Sequence, residues 1–507
     1  MKKQLNQIIF VSIMLISLVS LMKAQTYKIV GTGQTKYYNN TGEITSPAKG
    51  EAYYGQAAFY PGNIPSYTDN GDGTITDNVT SLMWVKDRGS LISWSNAIEG
   101  ASTNRTAGYS DWRMPTIKEL YSLIQFSGVN GPDNTVVTGF VPFINTTYFG
   151  FAYGAGGSSS TGERIIDCQD WSANKYVSTV MGNQPAIFGV NFADGRIKGY
   201  NELIPNTGAK NTKYVRYVRG NPNYGKNNFK DNGDNSVTDL ATTLMWSKDD
   251  SKIGLDWPGA LAWVQAQNAA NYLGHNDWRL PDSKELESIV DYTRSPSTTN
   301  SPAIDVTFFN TTSITNEAGQ TDYPYVWTSS VLIDGGPNPS GIYISFGRAM
   351  GYMSVFGGWV DVHGAGTQKS DLMVGNPANY PSGRGPQGDA IRIYNYVRLV
   401  RTDNTATSIK ENQTSDNSVP DAFSLYQNYP NPFNPTTQIV VNIPKSGDYT
   451  LTVFNVLGQK VATLLNNRIS NGTYTFNFDA SILPSGIYLY NLRGNNFNQT
   501  KKMTLMK

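Results

Sequence analysis

Apolar positions along this chain fall in short runs separated by Gly, Asn and Asp. Two β-prone stretches, Ser66–Thr68 and Thr74–Thr76, flank Asp69-Asn-Gly-Asp-Gly73. Asn-Gly and Asp-Gly supply the positive φ angles of a tight hairpin. Leu82-Met83-Trp84 then reads as a buried strand. A short helix is expected around Trp94 and again around Trp257, with Ser93 and Asp256 as N-caps and Pro258 in a first turn. A second helix is expected after each Trp-Arg-x-Pro. There, Thr116-Ile-Lys-Glu119 and Asp282-Ser-Lys-Glu285 fit the capping box. Ile117, Leu120 and Ile124 fall on one face of the first such helix, as do Leu286, Ile289 and Val290 on the second. Later segments alternate or are rich in aromatics, with Gly and Asn breaks, and read as strands and long loops.

The same pattern occurs twice. Tyr67–Trp84 reads YTDNGDGTITDNVTSLMW, and Phe229–Trp246, 162 residues on, reads FKDNGDNSVTDLATTLMW. Gly108–Leu120 reads GYSDWRMPTIKEL, and Gly274–Leu286, 166 residues on, reads GHNDWRLPDSKEL. Trp94 with Ala97 corresponds to Trp257 with Ala260, and Trp171 to Trp327. Phe192–Tyr200 is aligned with Phe346–Tyr352, and each copy closes on a similar strand, Tyr214–Arg219 and Tyr396–Arg401. Matching order and spacing mean that a whole domain is duplicated, because solenoid repeats have periods of about 20–50 residues.

These patterns divide the chain. Lys2 and Lys3, the apolar run Ile8–Met22 and Ala24 make residues 1–24 a secretory signal peptide. That run is shorter than the roughly 20 residues of a spanning helix. No other segment approaches that length, so no transmembrane helix is expected after cleavage. Residues 25–59 form an N-terminal arm or a leading strand, 60–220 the first module and 224–401 the second. Residues 402–419 form a polar linker without aromatics. From 420 to 507, strand-length alternating runs broken by Gly and Pro indicate a small antiparallel sandwich.

Composition narrows the function. Aromatics make up 12% of the 507 residues and charged residues 16%, which suits turn-rich extracellular domains. The net charge is +1 and well mixed, so nucleic acid is not an expected partner. The single cysteine, Cys168, excludes a disulfide within one chain and is expected as a buried small hydrophobe. His275 and His363 cannot by themselves make a zinc site.

The candidate chemistry is that of binding. Asp69, Asp72, Asp231 and Asp234 are calcium candidates by residue type. No Glu lies six residues beyond Gly73, however, and Asn235 stands where the first copy has Gly73, which favours a structural turn. No cofactor is therefore assigned. Arg113 and Arg279, beside Glu119 and Glu285, read as ion-paired supports of the capping boxes. Arg216, Arg219, Arg398 and Arg401 alternate with apolar residues and read as a solvated or paired strand face, with sulfated sugar as the alternative. Trp84, Trp112, Trp246 and Trp278 read as core. The ligand candidates are loop aromatics: Tyr148, Phe149, Phe151 and Tyr153 in the first module, and Tyr352, Phe356 and Trp359 as their counterparts in the second. No G-x-S-x-G, H-E-x-x-H or P-loop is present, so no enzyme is expected. Carboxylate-only hydrolysis of a surface polysaccharide stays open.

DNGDGTITD, LMW, the Trp94–Ala97 pair, GYSDWRMPTIKEL and the closing YVRYVRG together resemble the C-terminal domain of Legionella collagen-like protein. The resemblance spans both modules. It implies a C-type-lectin-like α+β fold in tandem and a role in adhesion, including binding of sulfated glycans. Tyr217 and Leu399 stand where that family often has cysteine, so packing must replace a disulfide there. Tyr429–Thr437 (YPNPFNPTT), Val453–Val461 (VFNVLGQKV), Leu483–Tyr490 and the final Lys501–Lys507 resemble a type IX secretion C-terminal sorting domain. That resemblance implies an immunoglobulin-like sandwich, export to the outer surface, and the secretion machinery and a sortase-like peptidase as partners. The combined expectation is a secreted or surface-attached binding protein whose ligand is an extracellular glycan or a host or matrix protein. The alternative is a structural surface or matrix component with no discrete ligand.

Overall fold

The computed structural model describes residues 27–131, 136–154, 164–204, 207–335, 338–403, 422–469, 471–480, 483–494 and 497–506. The signal peptide and nearly all of the linker lie outside the described residues. The chain divides into two units, Met1–Thr402 and Asp403–Lys507. Both are built mostly of strands, with few helices.

Within the first unit, each repeat folds its opening motif into a hairpin extended by one strand. Tyr67–Asp69, Thr74–Asp77 and Leu82–Val85 pair in order, and the closing strand Val218–Gly220 adds to the last, with Val218 opposite Trp84. The second copy repeats this with Phe229–Asp231, Ser236–Asp239, Leu244–Ser247 and Val400–Thr402, with Val400 opposite Trp246. The turn takes the left-handed backbone expected of it: Gly73 has φ 89° and Asn235, its equivalent, φ 67°. Four helices follow the sequence signals: α1 (Trp94–Thr103), α2 (Ile117–Ser122), α3 (Trp257–Ala269) and α4 (Ser283–Ser288). Ser93 accepts from the Asn96 N–H and Asp256 from that of Gly259, and both capping boxes are complete. Each cap is worth about 1 kcal/mol. Trp84, Trp112, Trp246 and Trp278 are all buried.

The repeats do not fold apart. Seven strands from both make one sheet: β1 (Val129–Asn130), β2 (Asp170–Val180), β3 (Gln184–Asn191), β4 (Arg196–Asn201), β5 (Tyr325–Asp334), β6 (Ser340–Ser345) and β7 (Gln368–Leu372). Their order is β1-β5-β6-β7-β4-β3-β2, so β4 of the first repeat meets β7 of the second. Ile197 lies opposite Val190 within its repeat, and Gln368 opposite Ile344 within its own. Ile197 and Gln368 thus hold equivalent positions, and they pair with each other across the junction. Self-pairing of equivalent positions is the signature of a two-fold axis.

This topology corrects one alignment. Phe192 and Phe346 are equivalent, their carbonyls accepting from Phe143 and Ala303 at 2.8 Å each. Beyond them, β4 corresponds to β7 and not to Met350–Met353. The latter strand pairs with Gly358–Asp361 in a hairpin that only the second repeat inserts.

The axis is reinforced by two lysines. Lys118 of α2 donates to the Ser288 carbonyl of the other repeat at 2.6 Å, and Lys284 of α4 donates to the Ser122 carbonyl at 2.8 Å. The main hydrophobic core runs through both repeats, from Ile117, Leu120 and Phe188 to Leu286, Ile342 and Ile344. Residues 27–63 are packed in as well. Tyr27 donates its N–H to the Ala241 carbonyl at 2.9 Å, and Gln34 bonds Val331 in both directions at 2.6 and 3.1 Å.

The second unit consists of two antiparallel sheets. One holds Ser424–Leu425, Thr436–Ile443 and Gly472–Asp479, and the other Lys460–Ile469, Gly447–Asn455, Gly486–Gly494 and Phe497–Leu505. Ile439, Val441 and Ile443 of the first share one core with Leu451, Val453, Tyr490 and Leu492 of the second. Among the described residues no helix is long and apolar enough to cross a membrane.

Candidate functional site

Side chains alternate across a strand, so the central sheet has two unlike faces. Phe188, Val190, Ile197, Ile342 and Ile344 point into the shared core. The intervening positions, Arg196, Lys198 and Tyr200 on β4 and Lys369 and Asp371 on β7, line the opposite face. Above them lies a cleft of about 720 Å³, within the size range of small-molecule sites. Both repeats line it, with the junction of β4 and β7 in its floor.

Most of its charges are paired within the wall. Six basic and five acidic residues line the cleft. Arg164 pairs with Asp167 at 2.7 Å, Lys198 with Asp194 at 3.5 Å, and Arg196 with both Asp194 at 3.3 Å and Asp334. Lys369 pairs with Asp389, which also meets His363 Nε2 at 3.0 Å. Burial pushes His363 down to about 4, so its ring is neutral at neutral pH. Burial pulls Lys369 down to about 8 and pushes Asp371 up to about 6. Burial works against the Asp389 carboxylate, but Lys369 and His363 overcome it and hold the group well below the usual carboxylate range. Five buried polar atoms in the wall have no hydrogen-bond partner: Asn130 Oδ1, Gln169 Oε1, Asp194 Oδ1, Arg196 Nε and Tyr200 OH. Polar atoms buried in a fold are ordinarily paired.

The loop aromatics singled out in the sequence do not line this cleft. Tyr148 and Phe149 pack on Tyr67 at 5.6 and 5.0 Å, and Phe149 is buried in the core. Tyr153 packs against Phe140 at 5.4 Å and Phe151 at 5.0 Å. Their counterparts are not on the second repeat's hairpin. Phe308 and Phe309 occupy the positions of Tyr148 and Phe149, packing on Phe229 at 5.6 and 5.1 Å. Tyr352, Phe356 and Trp359 lie on the inserted hairpin, where Tyr352 and Phe356 are exposed and Trp359 meets Tyr352 edge-on at 5.6 Å.

The calcium candidates serve turns. Asp69 accepts from the Gly71 N–H at 3.0 Å and pairs with Lys86 at 2.7 Å, while Asp72 accepts from the Thr74 N–H at 3.0 Å. Asp231 and Asp234 repeat this with Gly233, Lys248 and Ser236. Carboxylates committed in this way do not converge on a cation. Among the described residues no group of three or more His, Cys, Asp or Glu could hold a metal ion.

The arginines divide into three roles. Arg113 forks onto Glu119 at 2.7 and 2.5 Å, and Glu119 also accepts from the Thr116 N–H at 2.9 Å. Arg279 and Glu285 repeat the arrangement. Arg219 and Arg401 pair with Asp111 and Asp277, each at 2.7 Å. Arg216 and Arg398, read from sequence as part of a solvated or paired strand face, are fully buried. Their guanidinium groups bond backbone carbonyls and lie over Phe149 and Phe309 at 5.2 and 5.1 Å. Cys168 is buried and unpaired, and burial pushes its thiol up to about 12.

Sequence reasoning missed the cleft because its two floor strands are far apart in the chain. The one local signal is the alternation of charged and apolar residues in Arg196-Ile-Lys198.

Comparison with known proteins assigns the parts. The family model of the Lcl C-terminal domain matches residues 73–219 and 235–355, and that of the secretion system C-terminal sorting domain matches 427–506. The second Lcl match stops inside the inserted hairpin. No curated protein matches the chain. One solved structure that matches is PorZ, an essential bacterial surface component of the type-IX secretion system of Porphyromonas gingivalis. It is 8% identical over 73% of this chain and 48% of that one, with a TM-score of 0.13. This chain therefore spans about half the length of that protein. Since the two Lcl matches together take in more than half of its residues, the chain belongs to the Lcl C-terminal domain family, in two copies followed by a type IX secretion sorting domain.

Proposed function

We propose that this protein acts at the outer surface as a non-catalytic recognition protein for an extracellular glycan. Each repeat is a C-type-lectin-like module in this reading, and the tail is an immunoglobulin-like sandwich removed by a sortase-like peptidase. The sorting domain accounts for the location, and neither matched family is enzymatic. The observation that carries recognition is the open polar cleft of about 720 Å³. Most of its carboxylates are held by a lysine or arginine, which suits fixed hydrogen bonding better than proton transfer.

The chain without its signal peptide, applied to a glycan array, is expected to bind a defined subset of sugars. An empty array with self-association of the protein would overturn this reading in favour of a structural surface component. Removing residues 420–507 is expected to leave the protein in the periplasm. Normal surface display of that truncation would overturn the role given to the tail.

A further inference from the structure

We propose that the cleft over the β4–β7 junction is a single composite site, taking one uncharged oligosaccharide per chain. This rests on the glycan-recognition reading and adds the site, the stoichiometry and the class of sugar. The repeats are equivalent, so one site in each would be the simple expectation from the duplication. The geometry points elsewhere. Arg196, Lys198 and Tyr200 come from the first repeat and Lys369, His363 and Asp389 from the second, around one cavity. A cavity assembled across a two-fold axis exists once per pair of repeats.

The charge pattern sets the class. A sulfated or uronic ligand needs cations with no internal partner. Four of the six lining cations, Arg164, Arg196, Lys198 and Lys369, have carboxylates already, while Arg384 is exposed and lies by the Tyr380 ring. An anion would have to displace Asp194, Asp334 or Asp389 from its cation, which costs several kcal/mol for buried pairs. Sugar hydroxyls need no such exchange, because each both donates and accepts. The unpartnered wall atoms offer both complements: Asn130 Oδ1, Gln169 Oε1 and Asp194 Oδ1 accept, Arg196 Nε donates, and Tyr200 OH does either.

Calorimetry on the full chain without its signal peptide tests this, with maltotriose, cellotriose, mannotriose, galactotriose and chitotriose as neutral probes and a heparin tetrasaccharide as the anionic probe. At least one neutral trisaccharide is expected to bind, with one site per chain. Ser340→Trp, at a partly exposed position in the cleft wall, is expected to weaken it about tenfold or more. Arg384→Ala, at an exposed lining position, is expected to weaken it a few-fold, and it keeps the test alive if the tryptophan disturbs folding. Tyr352→Ala with Trp359→Ala, on the hairpin outside the cleft, is expected to leave affinity unchanged. Two sites per chain, or loss of binding only in the hairpin variant, would overturn the composite site and leave glycan recognition standing. Binding of heparin alone would overturn the uncharged class. No binding of any probe, with an empty array, would overturn both this proposal and the reading beneath it.

Discussion

Arg216 shows how far a single residue can depart from its sequence pattern. It alternates with apolar neighbours in the closing strand, which reads as a charged face beside a buried one. The other face is no less buried. Arg216 donates to the Val85 carbonyl at 3.0 Å, to that of Lys86, and to that of Gly150 at 2.7 Å. Arg398 does the same for Ser247, Lys248 and Asn310, at 2.9, 2.7 and 2.7 Å. The carbonyls arise where two loops leave the sheet and come from segments distant in sequence, so no local motif announces the need. Burial lowers both guanidinium groups to about 10, which still leaves them cationic at neutral pH. A planar fork can meet three carbonyls at once, and a lysine ammonium on its single stem cannot reproduce that. Arg216→Ala is expected to cost about 3 kcal/mol, roughly 1 for each carbonyl left unpaired. Arg216→Lys should recover less than half of that. Urea unfolding at neutral pH checks both, and a loss below about 1 kcal/mol would show that water satisfies those carbonyls.

The elements were legible where their signals are local. The Asn-Gly and Asp-Gly hairpins, the caps at Ser93 and Asp256 and both capping boxes form where the sequence places them, since each depends on residues a few positions apart. What was not legible is how equivalent elements meet. No local signal marks Lys118 or Lys284, yet both lie at the axis, Lys284 buried and Lys118 partly so, and each bonds the helix of the other repeat. Burial pulls Lys284 down to about 7 from the 10.5 of an exposed amine. Between those values the unfolded chain holds a proton that the folded chain has released. Stability from this group therefore rises with pH above 7, and the cost of burying the charge is felt in full below it. Glu287 acts on the acid side. Burial pushes it up to about 7 from 4.5, so the folded state keeps a proton that the unfolded chain loses, and stability falls as pH rises between those values. Lys284→Met is expected to remove about 2 kcal/mol of the rise between pH 7 and 9. Urea midpoints at pH 5, 7 and 9 measure both limbs. An unchanged rise above pH 7 in the variant would mean that Lys284 is not its source.

At the scale of the whole molecule, duplication has produced one folded body from two copies. The sequence shows two modules because their motifs are separate along the chain. Their joining depends on Ile197 pairing with Gln368, a contact between segments far apart that no motif encodes. A sheet and a core that run through both repeats leave neither with a complete interior of its own, so they should unfold together. The chain provides a clean probe, since all ten tryptophans lie between Trp84 and Trp359 and none in the tail. Tryptophan fluorescence thus reports the first unit alone, even in the intact protein. Ile197→Asp places a carboxylate in the shared core at the junction, a cost of several kcal/mol unless the side chain takes up a proton. If the repeats were independent, this change would lower one thermal transition and leave a second, carried by Trp246, Trp257 and Trp278, at its original temperature. Because Ile197 packs in the same core as Ile344 and Leu286 of the other repeat, one transition is expected, displaced downward as a whole.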